Sequence, residues 1–156
     1  MLKGLTTLSL ADTKITDEGL FQLSRMKNLK YLDLRNTNIT DEGLIYLKNL
    51  TNLTELNLLG TNVIGTGYPE FDRMKELKNI DLFGSPNTDI GPIHLLQLNK
   101  LTSLYLPDRR RRSRWARELI MQLKKWIHTM KTVGVLTLDR FTRVPGYSPQ
   151  RSQRNN

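Results

Sequence analysis

The chain reads as an α/β repeat array, a short strand followed by a helix, used several times over. Two observations carry this. The octapeptide "TKITDEGL" at 13–20 returns as "TNITDEGL" at 37–44, with seven of eight letters kept. The frame Leu-x-x-Leu-x-Leu starts at Leu5, Leu29, Leu53, Leu77 (with Ile80 at its second position) and Leu101, each step being 24 residues. Fixed-period self-similarity of this length marks stacked supersecondary units.

Within a unit the apolar spacing changes character. It alternates through the short strand, as at Leu32 and Leu34, then recurs every third residue at Leu44, Leu47, Leu50 and Leu53. Period two followed by a near-helical period is a strand followed by a helix. Thr16 and Thr40 stand where helix N-caps belong, with Asp17, Glu18, Asp41 and Glu42 in the first turn, where the helix dipole favours negative charge. Gly19, Gly43, Gly67 and Gly91 recur one position before the first core residue, a pattern expected where neighbouring units crowd. The third and fourth units drift: "TNVIGTGYPEF" loses the cap and both acids, and "SPNTDIGPIHL" takes in Pro86 and Pro92. Pro69 and Pro92 weaken the expectation of α-helix there. A sixth frame, "VGVLTL", begins at Val133 after 32 residues, so the fifth unit is enlarged.

These frames resemble leucine-rich repeats of the type L-x-x-L-x-L-x-x-T-x-I-T-D-x-G-L. The likeness is close over residues 2–106 and looser to 141. It implies a right-handed βα solenoid of about five to six coils, with parallel strands on the concave face and helices on the convex face. It also implies that Thr13, Thr37, Thr61 and Ser85 turn inward to bond loop backbone, a provision that buried polar groups require. On this reading residues 1–141 are the repeat domain, with an Arg-rich insertion at 107–114, and 142–156 form a basic disordered tail. Leu2-Lys3-Gly4-Leu5 matches Leu50-Thr51-Asn52-Leu53, so the chain opens inside a unit and is expected to be part of a longer repeat protein, or else a monomer.

Composition narrows function. The chain has 156 residues, no cysteine and a net charge of +9. Residues 1–106 hold 11 basic and 12 acidic side chains, and residues 107–156 hold 13 and 3, so the basic character lies in the last third. No run approaches the roughly 18 apolar residues of a membrane span, and the start lacks a signal-like run, so a cytoplasmic protein is expected. His94 and His128 are the only histidines and stand in no metal-ligand spacing. No phosphate loop, nucleophile elbow or paired-carboxylate motif occurs. The chain is read as non-enzymatic, without metal or cofactor.

Recognition is the remaining class. The resemblance places the non-leucine strand positions on the concave face: Tyr31, Asp33, Arg35, Glu55, Asn57, Leu59, Asn79, Asp81, Phe83 and Tyr105. Leu59 and Phe83 are expected side by side and exposed, flanked by tyrosines and an arginine, a mixture that protein-binding patches favour. The partner expected is another protein. The alternative is nucleic acid or another polyanion held by Arg109, Arg110, Arg111, Arg112 and Arg114. Trp115 and Trp126 fall at helical spacing with Leu119 and Leu123 and are assigned to core packing rather than base stacking.

Overall fold

The computed structural model describes residues 4–86, 94–95 and 97–105. In it, each Leu-x-x-Leu-x-Leu frame supplies one three-residue strand. These are β1 (Thr7–Ser9), β2 (Tyr31–Asp33), β3 (Glu55–Asn57), β4 (Asn79–Asp81) and β5 (Ser103–Tyr105). They form one parallel sheet in the order β1-β2-β3-β4-β5. The register advances by one repeat per strand, aligning Tyr31 with Glu55, Asn79 and Ser103. Helix α1 (Asp17–Leu23) follows β1 and α2 (Asp41–Leu47) follows β2. The chain is thus an α/β solenoid, as expected.

The frame leucines make the core. Leu29, Leu32, Leu34, Leu53, Leu56, Leu58, Leu77, Ile80, Leu82 and Leu104 are fully or almost fully buried. Leu5, Leu8, Leu10 and Ile15, at the end of the described stack, pack against this cluster while only partly buried. After each of β1 to β4 the chain turns through one left-handed residue, at Asp12, Asn36, Gly60 and Gly84. These positions are 24 apart and carry only the residue types that tolerate positive φ. Asn36 Nδ2 also donates to Asp12 Oδ1 at 2.9 Å, linking two coils.

The inward polar column behaves as the resemblance implies. The Thr37 hydroxyl donates to the Leu34 carbonyl at 2.5 Å, and Thr61 to that of Leu58 at 2.7 Å. Ser85 reaches back a coil to the same Leu58 carbonyl at 2.8 Å. Thr13 makes the equivalent bond to Leu10 at 2.7 Å but is exposed.

The octapeptide does more than start a helix. Asp17 Oδ1 accepts from Thr40 N–H at 2.9 Å and its Oδ2 from the Thr40 hydroxyl at 2.6 Å, so the acid of one coil holds the next. Asp41 repeats this upward, accepting from the N–H groups of Ile64 (2.7 Å), Gly65 (2.9 Å) and Gly67 (2.7 Å). The glycines follow from the same stacking. A Cβ on Gly43 would collide with the Asp17 carboxylate, and one on Gly67 would lie 2.7 Å from the Asp41 carbonyl. One expectation needs correction: Thr16 occupies the N-cap position of α1 without capping it, its hydroxyl donating to Glu18 Oε2 at 3.1 Å instead. Thr40 does cap, accepting from Glu42 N–H at 3.3 Å.

In the third unit Pro69 stands where α2 has Ile45, and the helix becomes a 3-10 helix, Tyr68–Arg73. Tyr68 and Phe71 replace leucines in its core column, fully buried and stacked at 5.8 Å between ring centroids. In the fourth unit only residues 94–95 and 97–98 of the helical segment are described, with Leu95 and Leu98 buried in the core. Residues 87–93, the insertion at 107–114, the helix expected near Trp115 and Trp126, the sixth frame and the 142–156 tail lie outside the described residues.

Candidate functional site: the sheet face

The exposed side of the sheet carries two in-register rows, Tyr31, Glu55, Asn79 and Ser103, and beside them Asp33, Asn57, Asp81 and Tyr105. All of these except Asp33 line an open concavity of about 270 Å³ bounded by Tyr31 on one side and Tyr105 on the other. The two tyrosines are three strand steps apart, about 14 Å at usual parallel-sheet spacing. The charged residues lining it are Glu55 and Asp81, both acidic. Six of the ten expected sheet-face residues line this groove, namely Tyr31, Glu55, Asn57, Asn79, Asp81 and Tyr105, whereas Asp33, Arg35, Leu59 and Phe83 do not.

Part of this face is structural. Asp33 accepts from Arg35 N–H at 3.1 Å, Asn57 from Leu59 N–H at 3.0 Å and Asp81 from Phe83 N–H at 2.9 Å. Each side chain braces the backbone turn that leaves its strand, a role short oxygen-bearing side chains perform well. Asp33 also accepts from the Ser9 hydroxyl at 3.5 Å and lies 3.6 Å from Arg35 Nε. These partners satisfy the polar oxygens of a side chain that is only 3% exposed.

Asp81 is placed differently. It has the same turn-bracing bond, yet Phe83 occupies the position that Arg35 holds two coils earlier. Burial raises the Asp81 carboxyl above the usual carboxylate range, against the lowering pull of the Phe83 N–H, and the Asp33 charge adds to the rise. Tyr31 is also raised, first by burial and then by the Asp33 charge.

The apolar pair departs from expectation. Leu59 and Phe83 do lie in adjacent coils, Gly60 N–H bonding to the Phe83 carbonyl at 2.8 Å, but both are half-buried. They stand beyond the three-residue strands, where the turns of neighbouring coils stack against one another. Among the described residues the most exposed large apolar side chains lie elsewhere: Phe21 (48%), Ile45 (40%) and Ile64 (38%). Phe21 meets half-buried Tyr46 edge-on at 5.5 Å, bridging α1 and α2. A one-residue displacement from the core spacing marks Phe21 and Ile45 in the sequence, each directly after a core leucine.

Arg109, Arg110, Arg111, Arg112 and Arg114 lie outside the described residues. Among the described residues no group of acids and histidines could hold a metal ion. No described helix is long and apolar enough to cross a membrane.

The family model "Leucine Rich repeats (2 copies)" matches residues 3–42 and 27–66, the segments that contain both octapeptides and the stacking aspartates. This is a leucine-rich-repeat protein. Internalin C2 of Listeria monocytogenes, a solved structure, is 35% identical with a TM-score of 0.57, over 67% of this chain and 42% of that one. The chain therefore spans less than half the length of that internalin. Two more distant structures share the fold alone. The tropomodulin C-terminal domain of Caenorhabditis elegans is 15% identical (TM-score 0.62, 85% of this chain and 90% of that one). The leiomodin-1 actin-binding site 2 is 16% identical (TM-score 0.63, 85% and 86%). No curated protein sequence matches the chain significantly. Stacked repeats of this kind present an extended concave surface on which ligands can bind.

Proposed function

We propose that the leucine-rich repeats bind another protein on the concave sheet face and contribute recognition rather than catalysis. The observation that carries this is the groove of about 270 Å³ on the face of β2 to β5, walled by two tyrosines and lined by polar and acidic side chains. Tyrosine supplies a large contact area at small entropic cost, and interfaces are enriched in it. The short parallel strands hold these side chains on a rigid lattice, so little ordering is lost on binding.

Affinity capture from the source lysate tests the proposal, with the wild-type chain and a Tyr31→Ala, Leu59→Ser, Phe83→Ser triple variant compared with and without nuclease. A partner retained after nuclease and lost with the triple variant is expected, with folding of the variant checked by circular dichroism. Recovery that vanishes with nuclease, or that ignores the triple change, contradicts the proposal. In the nuclease case the arginine run would be the binding element, and affinity would fall about 10³–10⁵-fold between 50 and 200 mM salt if 6–10 phosphates are contacted.

A further inference from the structure

We propose that the sheet-face groove receives a cationic side chain of the protein partner, an arginine in preference to a lysine, between Tyr31 and Tyr105 and against Glu55 and Asp81. This rests on the concave-face reading above and gives the partner's contact its chemistry.

The argument begins with the column that follows each strand. Arg35, Leu59 and Phe83 are equivalent residues 24 apart, and the column two residues before them reads Asp33, Asn57, Asp81. In the second coil the buried acid is answered by its own arginine, 3.6 Å away. In the third coil neither residue is charged. In the fourth the acid is kept and the arginine is replaced by Phe83. Among the described residues Asp81 and Glu55 form no ion pair, and they are the two charged residues of the groove. A half-buried carboxylate without a counter-charge is costly in the free protein. A partner cation removes that cost on binding, so charge complementarity selects the occupant.

The surroundings favour a guanidinium. Tyr31 stands in register beside Glu55, and Tyr105 beside Asp81, so each carboxylate has an aromatic neighbour across one strand step. Guanidinium groups stack on aromatic faces while donating in plane to carboxylates, a combination an ammonium cannot match. Asn57 and Asn79 line the floor and offer further polar contacts.

The test uses the full chain, isotopically labelled, and capped pentapeptides of glycine and serine whose central residue is arginine, lysine, citrulline or glutamate. The arginine peptide should shift the amide resonances of Asn57, Asn79 and Asp81 saturably, the lysine peptide should bind more weakly, and the citrulline and glutamate peptides should leave them in place. Asp81→Asn keeps an acceptor for the Phe83 N–H, as Asn57 does for Leu59, and Phe83→Arg supplies the missing cation from within the chain. Each should weaken the arginine peptide at least about tenfold, with Glu42→Gln on the helical side leaving it unchanged. Equal shifts from arginine and citrulline, or an unaltered affinity in Phe83→Arg, would overturn the inference. So would movement of the Asn79 and Asp81 resonances when the five arginines 109–112 and 114 are changed to glutamine, since that would give the groove to the chain's own basic run. If the peptides fail while partner capture still depends on Tyr31, Leu59 and Phe83, the cation falls and the concave reading stands. Capture indifferent to the sheet face would bring down both.

Discussion

The second coil and the fourth are built on one frame, yet of the two strand-end acids Asp33 has an arginine beside it and Asp81, among the described residues, has no cation. Asp41 gives its carboxylate to three backbone N–H groups of the coil above, and Asp33 is covered by Arg35, Ser9 and its own turn. In the fourth coil Asp81 keeps the turn bond and loses the cation. The difference separates two uses of the same residue type. An acid whose oxygens are answered from within the chain is part of the scaffold, whereas a half-buried acid with one backbone donor and no cation beside it still has capacity for a ligand.

The contrast orders the expected effects of substitution. Asp41→Ala strands three N–H groups, and at about 1–3 kcal/mol for each unsatisfied buried donor, reduced by water access, it should cost about 3 kcal/mol in urea unfolding. Asp17→Ala, whose two acceptor bonds go to the half-buried Thr40, should cost about 2 kcal/mol. A larger loss at Asp17 than at Asp41 would break the ranking of the two stitches. Gly43→Ala drives a methyl into the Asp17 carboxylate and the Leu20 side chain, for about 1–3 kcal/mol of overpacking.

The smallest effects should differ in sign. Asp33→Asn removes a charge that Arg35 answers and should lose about 0.5 kcal/mol. Asp81→Asn removes one that nothing answers and should gain a few tenths of a kcal/mol at neutral pH. The Asp81 carboxyl titrates above its unfolded value in the fold, so the ionised form costs stability above the folded pKa and that cost disappears below the unfolded one. The gain from Asp81→Asn should therefore fade as the pH is lowered through the folded pKa of Asp81. A gain that grew in acid would contradict the burial argument.

Much of the fold was legible because the repeat multiplies its own signal. Leu32, Leu56, Ile80 and Leu104 are buried strand centres in one column, and the 24-residue period alone places them. The inward Thr37, Thr61 and Ser85 were equally readable once the family pattern was recognised. The aspartate stitches were not. A first-turn acid has a sufficient local explanation in the helix dipole, and its true donors lie 23 to 26 residues away in the next coil. The left-handed column Asp12, Asn36, Gly60 and Gly84 was readable in principle, since only such residues fit that backbone. For the site, the strand rows were readable from the pattern, but the half-burial of Leu59 and Phe83 depends on how successive turns stack. The mismatch of Phe83 with Arg35 gains its meaning only after Asp33 and Arg35 are seen as a pair.

Comparing the two faces of the solenoid against a captured partner tests the central claim most directly. Affinity should be measured for Tyr31→Ala with Glu55→Gln on the sheet face, and for Phe21→Ser with Ile45→Ser on the helical face. A loss of more than about tenfold with the first pair, and less than about twofold with the second, is the result the account predicts. The reverse pattern would move recognition to the exposed Phe21 and Ile45 side and contradict the sheet-face account.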